Sequence, residues 1–239
     1  MAIDHRAIVA AGNNADLYAA MFASHGLCYD RLPYGFVGRD RPPPYYSNLT
    51  VLSPGHAGEI ALQIGTLAQS FDGALGVKDS FCELDLGPNG FDVLFDASWI
   101  WRDAGLPTCT STWTRIATET DLRLWETAWK QAGSATQHRM FTGTLLEQPE
   151  IVFLGQKRGD EFEAGCIANI SDGCVGISNV FSLSRPDDVF RQATAAVASI
   201  APHLPITGYE TGPELSHARQ AGFEAVGDLR VLVSRAARF

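Results

Sequence analysis

The residue types that do metal or disulfide chemistry are present but scattered. The five cysteines (Cys28, Cys82, Cys109, Cys166 and Cys174) show no C-x-x-C spacing, and the six histidines include no H-x-x-x-H pair. An odd, dispersed set reads as reduced thiols in a cytoplasmic protein and gives no seed for a metal site. A more specific signal is SRPDDVF, Ser184 to Phe190, between an apolar strand-like run and a well-patterned helix. A strand-to-helix turn offers free backbone N–H groups and the positive end of a helix dipole, a ready cradle for a phosphate. Here the turn has no glycine, and Asp187 and Asp188 follow a proline at the first helical position. Pro186 and the two carboxylates stabilise the helix start themselves, each carboxylate by roughly 0.3–1 kcal/mol. A phosphate would meet two like charges, each costing about 4 kcal/mol at ~4 Å and an effective dielectric near 20. Arg185 and Arg191 flank the aspartates and could offset part of that repulsion.

Bulk composition narrows the classes of partner. The chain has 239 residues, 46% hydrophobic and 19% charged, which suits a globular protein with a sizeable core and one or two domains. A formal charge of −9 argues against nucleic acid and anionic membranes as main partners and permits an amine substrate. The N-terminal stretch is interrupted by charges and by GNN, so it lacks a signal-peptide core, and no apolar run is long enough to span a bilayer. Asn48-Leu49-Thr50 matches a glycosylation sequon, which without a secretion signal reads as chance.

The elements that must position any site follow from periodicity. Residues 4–25 read as helix, with GNN at 12–14 able to split it. Pro42 to Pro44 force an extended path, and NLTVL after them is strand-like. The run GHAGEIALQIGTLAQSF predicts a helix with Ile60, Leu62, Ile64 and Leu67 as its apolar positions. CELDL alternates like a strand, and FDVLFDASWIW resumes strand character after GPNG. A composition break at Arg102 to Thr112 divides the chain. Beyond it lies a helix with capping-box spacing at Thr118 and Asp121, and Leu122, Trp125 and Trp129 share one face, as core aromatics usually do. MFTGTLLEQP reads as a short helix. EIVFLGQ, FEAGCIANI and CVGISNVFSL, joined by short turns, predict an antiparallel meander. A helix follows whose Val189, Phe190, Ala193, Val197 and Ile200 form an apolar face. ITGYET reads as a strand, PELSHARQA as a short helix, and GFEAVGDLRVLVSR as a closing strand.

The ends of the two halves echo one another. Gly90-Phe91-Asp92, Asp96 and a strand running to Arg102 match Gly222-Phe223-Glu224, Asp228 and a strand running to Arg235. The recurrence suggests two copies of one unit, the first more diverged.

With that element order in place, the second half resembles the GNAT superfamily of acyl-CoA N-acyltransferases. The β–α unit CVGISNVFSLSRPDDVFRQATAAVASI and the ending ELSHARQAGFEAVGDLRV carry the resemblance over residues 114–239, and the echo extends it to the first half. It implies a mixed, mostly antiparallel sheet flanked by helices, an α/β (α+β) fold in two tandem units. These would be a diverged domain at 1–105 and an acyl-CoA-binding domain at 112–239. By resemblance, acetyl-CoA or another acyl-CoA would enter a V-shaped gap between GISNVFSL and ITGYET. The backbone of Val180, Phe181 and Ser182 would face its pantetheine arm, as an added strand would. The family's pyrophosphate loop, [QR]-x-x-G-x-[GA], falls on RPDDVF. Arg185 fits its first position, while Asp188 and Phe190 stand where small residues are expected. Arg191 would join Arg185 in meeting the phosphates. The family's tyrosine proton donor falls on Ala218, beside His217. In its absence Glu210 is the best-placed general base, Tyr209 could donate to a leaving thiolate, and Asn179 could polarise a carbonyl or position water. Each of these three is also readable as ordinary strand packing. The implied reaction is acyl transfer to the amine of a small molecule or peptide. The alternative is a fold without catalysis that binds a ligand or partner, and a homodimer is compatible with either.

Overall fold

The computed structural model describes residues 3–105, 111–171, 173–184 and 186–235, with the backbone alone at 186 and 187. The first half runs α1 (His5–Ser24), β1 (Tyr29–Leu32), β2 (Gly35–Gly38), β3 (Leu49–Val51), α2 (Ala57–Ser70), β4 (Gly76–Asp79) and β5 (Phe91–Arg102). The second runs β6 (Thr114–Arg115), α3 (Glu119–Gln131), β7 (Ile151–Arg158), β8 (Glu161–Ser171), β9 (Cys174–Ser182), α4 (Pro186–Ile200), β10 (Ile206–Glu210), α5 (Gly212–Gln220) and β11 (Glu224–Ser234). The junction inferred at Arg102–Thr112 contains residues 106–110, including Cys109, which lie outside the described residues.

All the described strands join one sheet, in the order β1-β2-β3-β4-β11-β5-β10-β9-β8-β7-β6. The last strand of each half is inserted into the other. β11 lies between β4 and β5, and β5 lies between β11 and β10. The register carries a local twofold. Ala97 faces Leu229, Asp96 faces Arg230 and Ser98 faces Asp228, so the echoed residues Asp96 and Asp228 lie symmetrically on either side of the Ala97–Leu229 pair. Gly90 and Gly222 both adopt positive φ (82° and 90°) immediately before these strands. Phe91 and Phe223 are both buried just after them. Each half contains one parallel contact, β3 with β4 and β9 with β10; every other pair is antiparallel.

Helices cover both faces. α4 and α5 pack Phe190, Ala193, Val197 and Ala218 against Val175, Ile177 and Cys166. α3 buries Leu122, Trp125 and Trp129 on the opposite face. Trp125 meets Phe141, Phe153 and Phe181 edge-on at 5.0–5.3 Å, and its indole N–H donates to Leu154 O at 2.9 Å. Thr118 caps α3 by accepting from the Asp121 N–H at 3.1 Å, while the Asp121 carboxylate pairs with Lys157.

Several sequence expectations change here. GNN does not split α1, because Asn13 and Asn14 find tertiary partners that substitute for favourable helix propensity. The Asn13 amide donates to Asn169 O and Ser171 Oγ, and Asn14 Oδ1 accepts from Lys78. CELDL is not a strand. The Asp79 carboxylate accepts from the Glu83 and Leu84 N–H groups, Cys82 takes a φ of 55°, and the chain turns. MFTGTLLEQP contains a 3-10 turn over Gly143–Glu147 rather than an α-helix. Leu62 on α2 is 73% exposed and Ile200 on α4 is 38% exposed, so the core-facing stripes are narrower than the sequence suggested.

The exchange of β5 and β11 makes a clear prediction about autonomy. Residues 1–105 and 112–239 expressed separately would each leave long strand edges unpaired. Each piece alone is expected to aggregate or to lack a cooperative urea transition, and co-expression should recover a soluble complex. A cooperative monomeric transition from either piece would contradict the shared-sheet account.

Candidate active site

The candidate site begins where two parallel strands part. β9 and β10 pair only at Val175–Ile206 and Gly176–Thr207. Gly208 sits at the point of divergence, where a Cβ would lie 2.7 Å from Ile177 O, so a side chain there would force the strands apart earlier. On the other edge of β9, Ile167 faces Ser178 but Gly165 faces Phe181, which leaves one extra residue in β9. This bulge contains Asn179 at φ 52°, a left-handed conformation that asparagine tolerates better than most residues. The parting strands enclose a cavity of about 270 Å³, roofed by Asn13, Asn14 and Tyr18 of α1 and by Tyr46.

Four of the sequence candidates converge on this cavity: Asn179, Val180, Tyr209 and Glu210. Glu210 is open to the cleft on one side and enclosed by protein on the others. Its carboxylate makes no hydrogen bond or ion pair among the described residues. Burial, with a smaller push from the Glu214 carboxylate on α5, raises its pKa to about 8. The cause is clearest beside its counterpart in the first half. Asp79 ends β4 opposite Arg230, which donates to it at 3.1 Å, whereas Glu210 ends β10 opposite Ser98. One carboxylate has a cation and two backbone donors, and the other has neither.

Tyr209 packs edge-on to Trp99 at 5.6 Å. The Lys78 ammonium, 4.2 Å from its ring centroid, pulls its pKa down, but burial, Tyr18 and Glu210 together leave it above the ordinary phenol value. The Asn179 amide donates to Ser178 Oγ at 3.2 Å.

The remaining candidates are placed elsewhere. The Phe181 side chain is buried against Trp125. Ser182 lines a separate cavity of about 540 Å³ with Ser184, Asp188 and Gln192. Arg185 lies outside the described residues. Arg191 forms an ion pair with Asp188 at 2.7 Å, and Gln192 donates to the same carboxylate, so Asp188 is held within its own helix. Phe190 is buried against Phe223, away from the loop. Ala218, where the resembled family would carry tyrosine, is buried, and His217 lies on a neighbouring, half-buried face.

Sequence reasoning missed the first half's contribution: Asn13, Asn14, Tyr18, Tyr46 and, behind Tyr209, Lys78. The available signals were a lysine inside the short strand GVKD and two adjacent asparagines in mid-helix. Among the described residues, no group of three or more His, Cys, Asp or Glu is placed to share a metal ion.

No family model matches the sequence, and no curated protein does. Solved structures do match in fold. A conserved protein of unknown function from Staphylococcus epidermidis superposes with a TM-score of 0.61 at 10% identity, over 87% of this chain and 93% of that one. A GCN5-related N-acetyltransferase from Kribbella flavida gives 0.59 at 12% identity, over 94% and 96%. A GCN5-related N-acetyltransferase from Sphaerobacter thermophilus gives 0.54 at 11%, over 95% and 92%. The chain therefore has the GNAT fold, and the likeness extends over both halves rather than the second alone.

Glu210 makes a testable contribution to stability. Its folded pKa of about 8 lies above the ordinary carboxyl value, so between the two the native protein keeps a proton that the unfolded chain releases. Native stability therefore falls as pH rises through that window and levels off above it. Glu210→Gln removes the effect. Its gain over the parent protein is expected to be near zero at acid pH and to reach a few kcal/mol above the folded pKa, since each pKa unit is worth about 1.4 kcal/mol. Urea unfolding of both proteins across the window checks this; a gain independent of pH would contradict the assignment.

Proposed function

We propose that the protein is an acyl-CoA-dependent N-acyltransferase, with acetyl-CoA as donor and the amine of a small molecule or peptide as acceptor. The observation that carries this reading is the unpaired Glu210 carboxyl inside the split between two parallel strands of a GNAT fold. The fit to a pantetheine arm is physical. Beyond Gly176 the edge of β9 toward β10 has no strand partner among the described residues, so the backbone of Val180 to Ser182 can pair with amides as an added strand would.

Each side chain then has a role. Glu210, when ionised, accepts a proton from the attacking amine. The nitrogen forms a bond to the acyl carbon, the carbon–sulfur bond breaks, and the sulfur takes a proton from the Tyr209 hydroxyl. The proton on Glu210 restores the phenol through the cleft. Asn179, turned by its left-handed backbone, polarises the acyl carbonyl. A thioester is already activated, so positioning and proton removal supply most of the rate. The acidic surface and the dispersed thiols fit a cytoplasmic protein acting on a small amine rather than on nucleic acid. No described helix is long and apolar enough to cross a membrane.

One observation favours the alternative of a fold that binds without catalysing: the Asp188–Arg191 pair occupies the helix start where phosphates would lie. Thermal unfolding with CoA and acetyl-CoA separates the two readings. Ligand at ~100 times its dissociation constant should stabilise by about 2.7 kcal/mol, and no shift at saturating CoA would sink the enzyme reading. Asp188→Gly should tighten CoA binding by relieving like-charge repulsion. With an acceptor in hand, the rate should rise with pH to a midpoint near the Glu210 pKa of about 8. Glu210→Gln should lower kcat by about 10²–10⁴-fold and abolish that limb.

A further inference from the structure

Lys78 comes from the first half, on β4, yet it stands at the back of the second half's cleft. It is 1% exposed, and its ammonium donates to Asn14 Oδ1 at 2.7 Å. It lies 4.2 Å from the Tyr209 ring centroid and 4.8 Å from that of Tyr18. No carboxylate pairs with it among the described residues. The contrast with another buried charge is sharp: the Glu126 carboxylate on α3 is met by Lys130 and Arg139 and by the Met140 N–H. Removing an ammonium from water without a counter-ion is strongly unfavourable, and the neutral partners present (the Asn14 amide oxygen and the rings and hydroxyls of Tyr18 and Tyr209) return only part of that loss.

The space beside Lys78 is suited to the missing charge. A cavity of about 300 Å³ is lined by Lys78, Leu94 and Phe95 and walled by Tyr18, Tyr46 and Tyr209. The same three tyrosines wall the cleft that Glu210 faces. The two chambers thus meet at a tyrosine partition, with a proton acceptor in one and a buried cation in the other. Both chambers are large enough for a short aliphatic chain with a polar end.

We propose that the acceptor is an amine that also bears a carboxylate, an amino-carboxylic acid with a chain long enough to pass the tyrosine partition, with the carboxylate held at Lys78 and the amine presented to Glu210. The amine-to-Glu210 arm rests on the acyltransferase reading; the carboxylate site at Lys78 stands on the buried ammonium and its cavity alone. Burial works against the charge on Lys78, while Tyr18 and Tyr209 work the other way and leave the net shift upward from the ordinary lysine value.

The test uses the full chain without CoA. Thermal unfolding is followed with matched probes: glycine, β-alanine, 4-aminobutyrate and 6-aminohexanoate, each against the unbranched primary amine of the same carbon number. At least one amino acid should raise Tm where its matched amine does not, and Lys78→Met should abolish that shift while keeping any CoA-induced shift. Lys78→Met replaces a buried charge with an apolar chain of similar length, so the variant is expected to fold. The comparison of amino acid with amine in the parent protein tests the site even without the variant. If every amino acid behaves like its matched amine, or if Lys78→Met retains the difference, the carboxylate site is wrong. If the amino acids discriminate but CoA gives no shift, the site stands and the acyltransferase reading fails. With CoA binding established, Lys78→Met should raise KM for the amino acid at least ~10-fold and leave KM for the matched amine unchanged; equal changes for both would overturn the proposal.

Discussion

β5 and β11 pair from Trp101 against Glu224 to Phe91 against Ser234, with bulges at Val226 and Leu94, and each carries on its outer edge a strand from the other half. The site depends on this pairing. It places β10 beside β5 and β4 beside β11, so Tyr209 stands opposite Trp99 and Lys78 opposite Val231. Their backbones are three strand spacings apart, roughly 14 Å. The lysine and tyrosine side chains reach over the central pair and close that distance to 4.2 Å between the ammonium and the ring centroid. The helix α1 fastens the arrangement from above. Ala7, Ala10 and Ala11 pack on Trp99 and Leu229, and Gly227 admits Ala7 to a contact that a Cβ would tighten to 3.1 Å.

The two acidic strand ends show how one backbone plan can carry opposite chemistry. Asp79 is fixed by Arg230 and by two N–H groups of the turn that follows, which makes it a structural anchor for that turn. Glu210 has none of these partners and faces a cavity. Its carboxyl is destabilised as an anion, and that destabilisation is what a proton acceptor working near neutral pH requires. The difference is set across the strand pair, where one residue faces arginine and the other faces serine.

Much of the fold was legible in the sequence because it is encoded locally. The meander β7-β8-β9 shows in short turns and apolar runs, and the face of α3 shows in the spacing of Leu122, Trp125 and Trp129. The matched Gly-Phe starts of β5 and β11 show as an echo. Asn179, Tyr209 and Glu210 could be placed together because the resemblance located the split. The exchange of final strands was not legible, since nothing local says which half a strand will join. CELDL misled because its alternation of Cys82, Leu84 and Leu86 is the pattern of a strand, while the Asp79 carboxylate that breaks it acts from outside the stretch. GNN misled in the other direction, because the partners that keep α1 intact are far away in sequence. Lys78 was invisible for the same reason: its meaning lies in Tyr18, Tyr209 and Asn14, which are distant in the chain.

The local twofold has a consequence for what the site can contain. Lys78 and Tyr209 occupy equivalent places about the axis that passes between Ala97 and Leu229. Two identical chains exchanging strands in this way would have to put the same residue in both places, giving two lysines or two tyrosines at the meeting point. Joining the halves in one chain removes that requirement. Each position can then mutate on its own, and a cation can face a phenol across an axis where symmetry would forbid the pair. The covalent link also keeps the partner half present at any dilution, so the heterogeneous pair forms in every molecule.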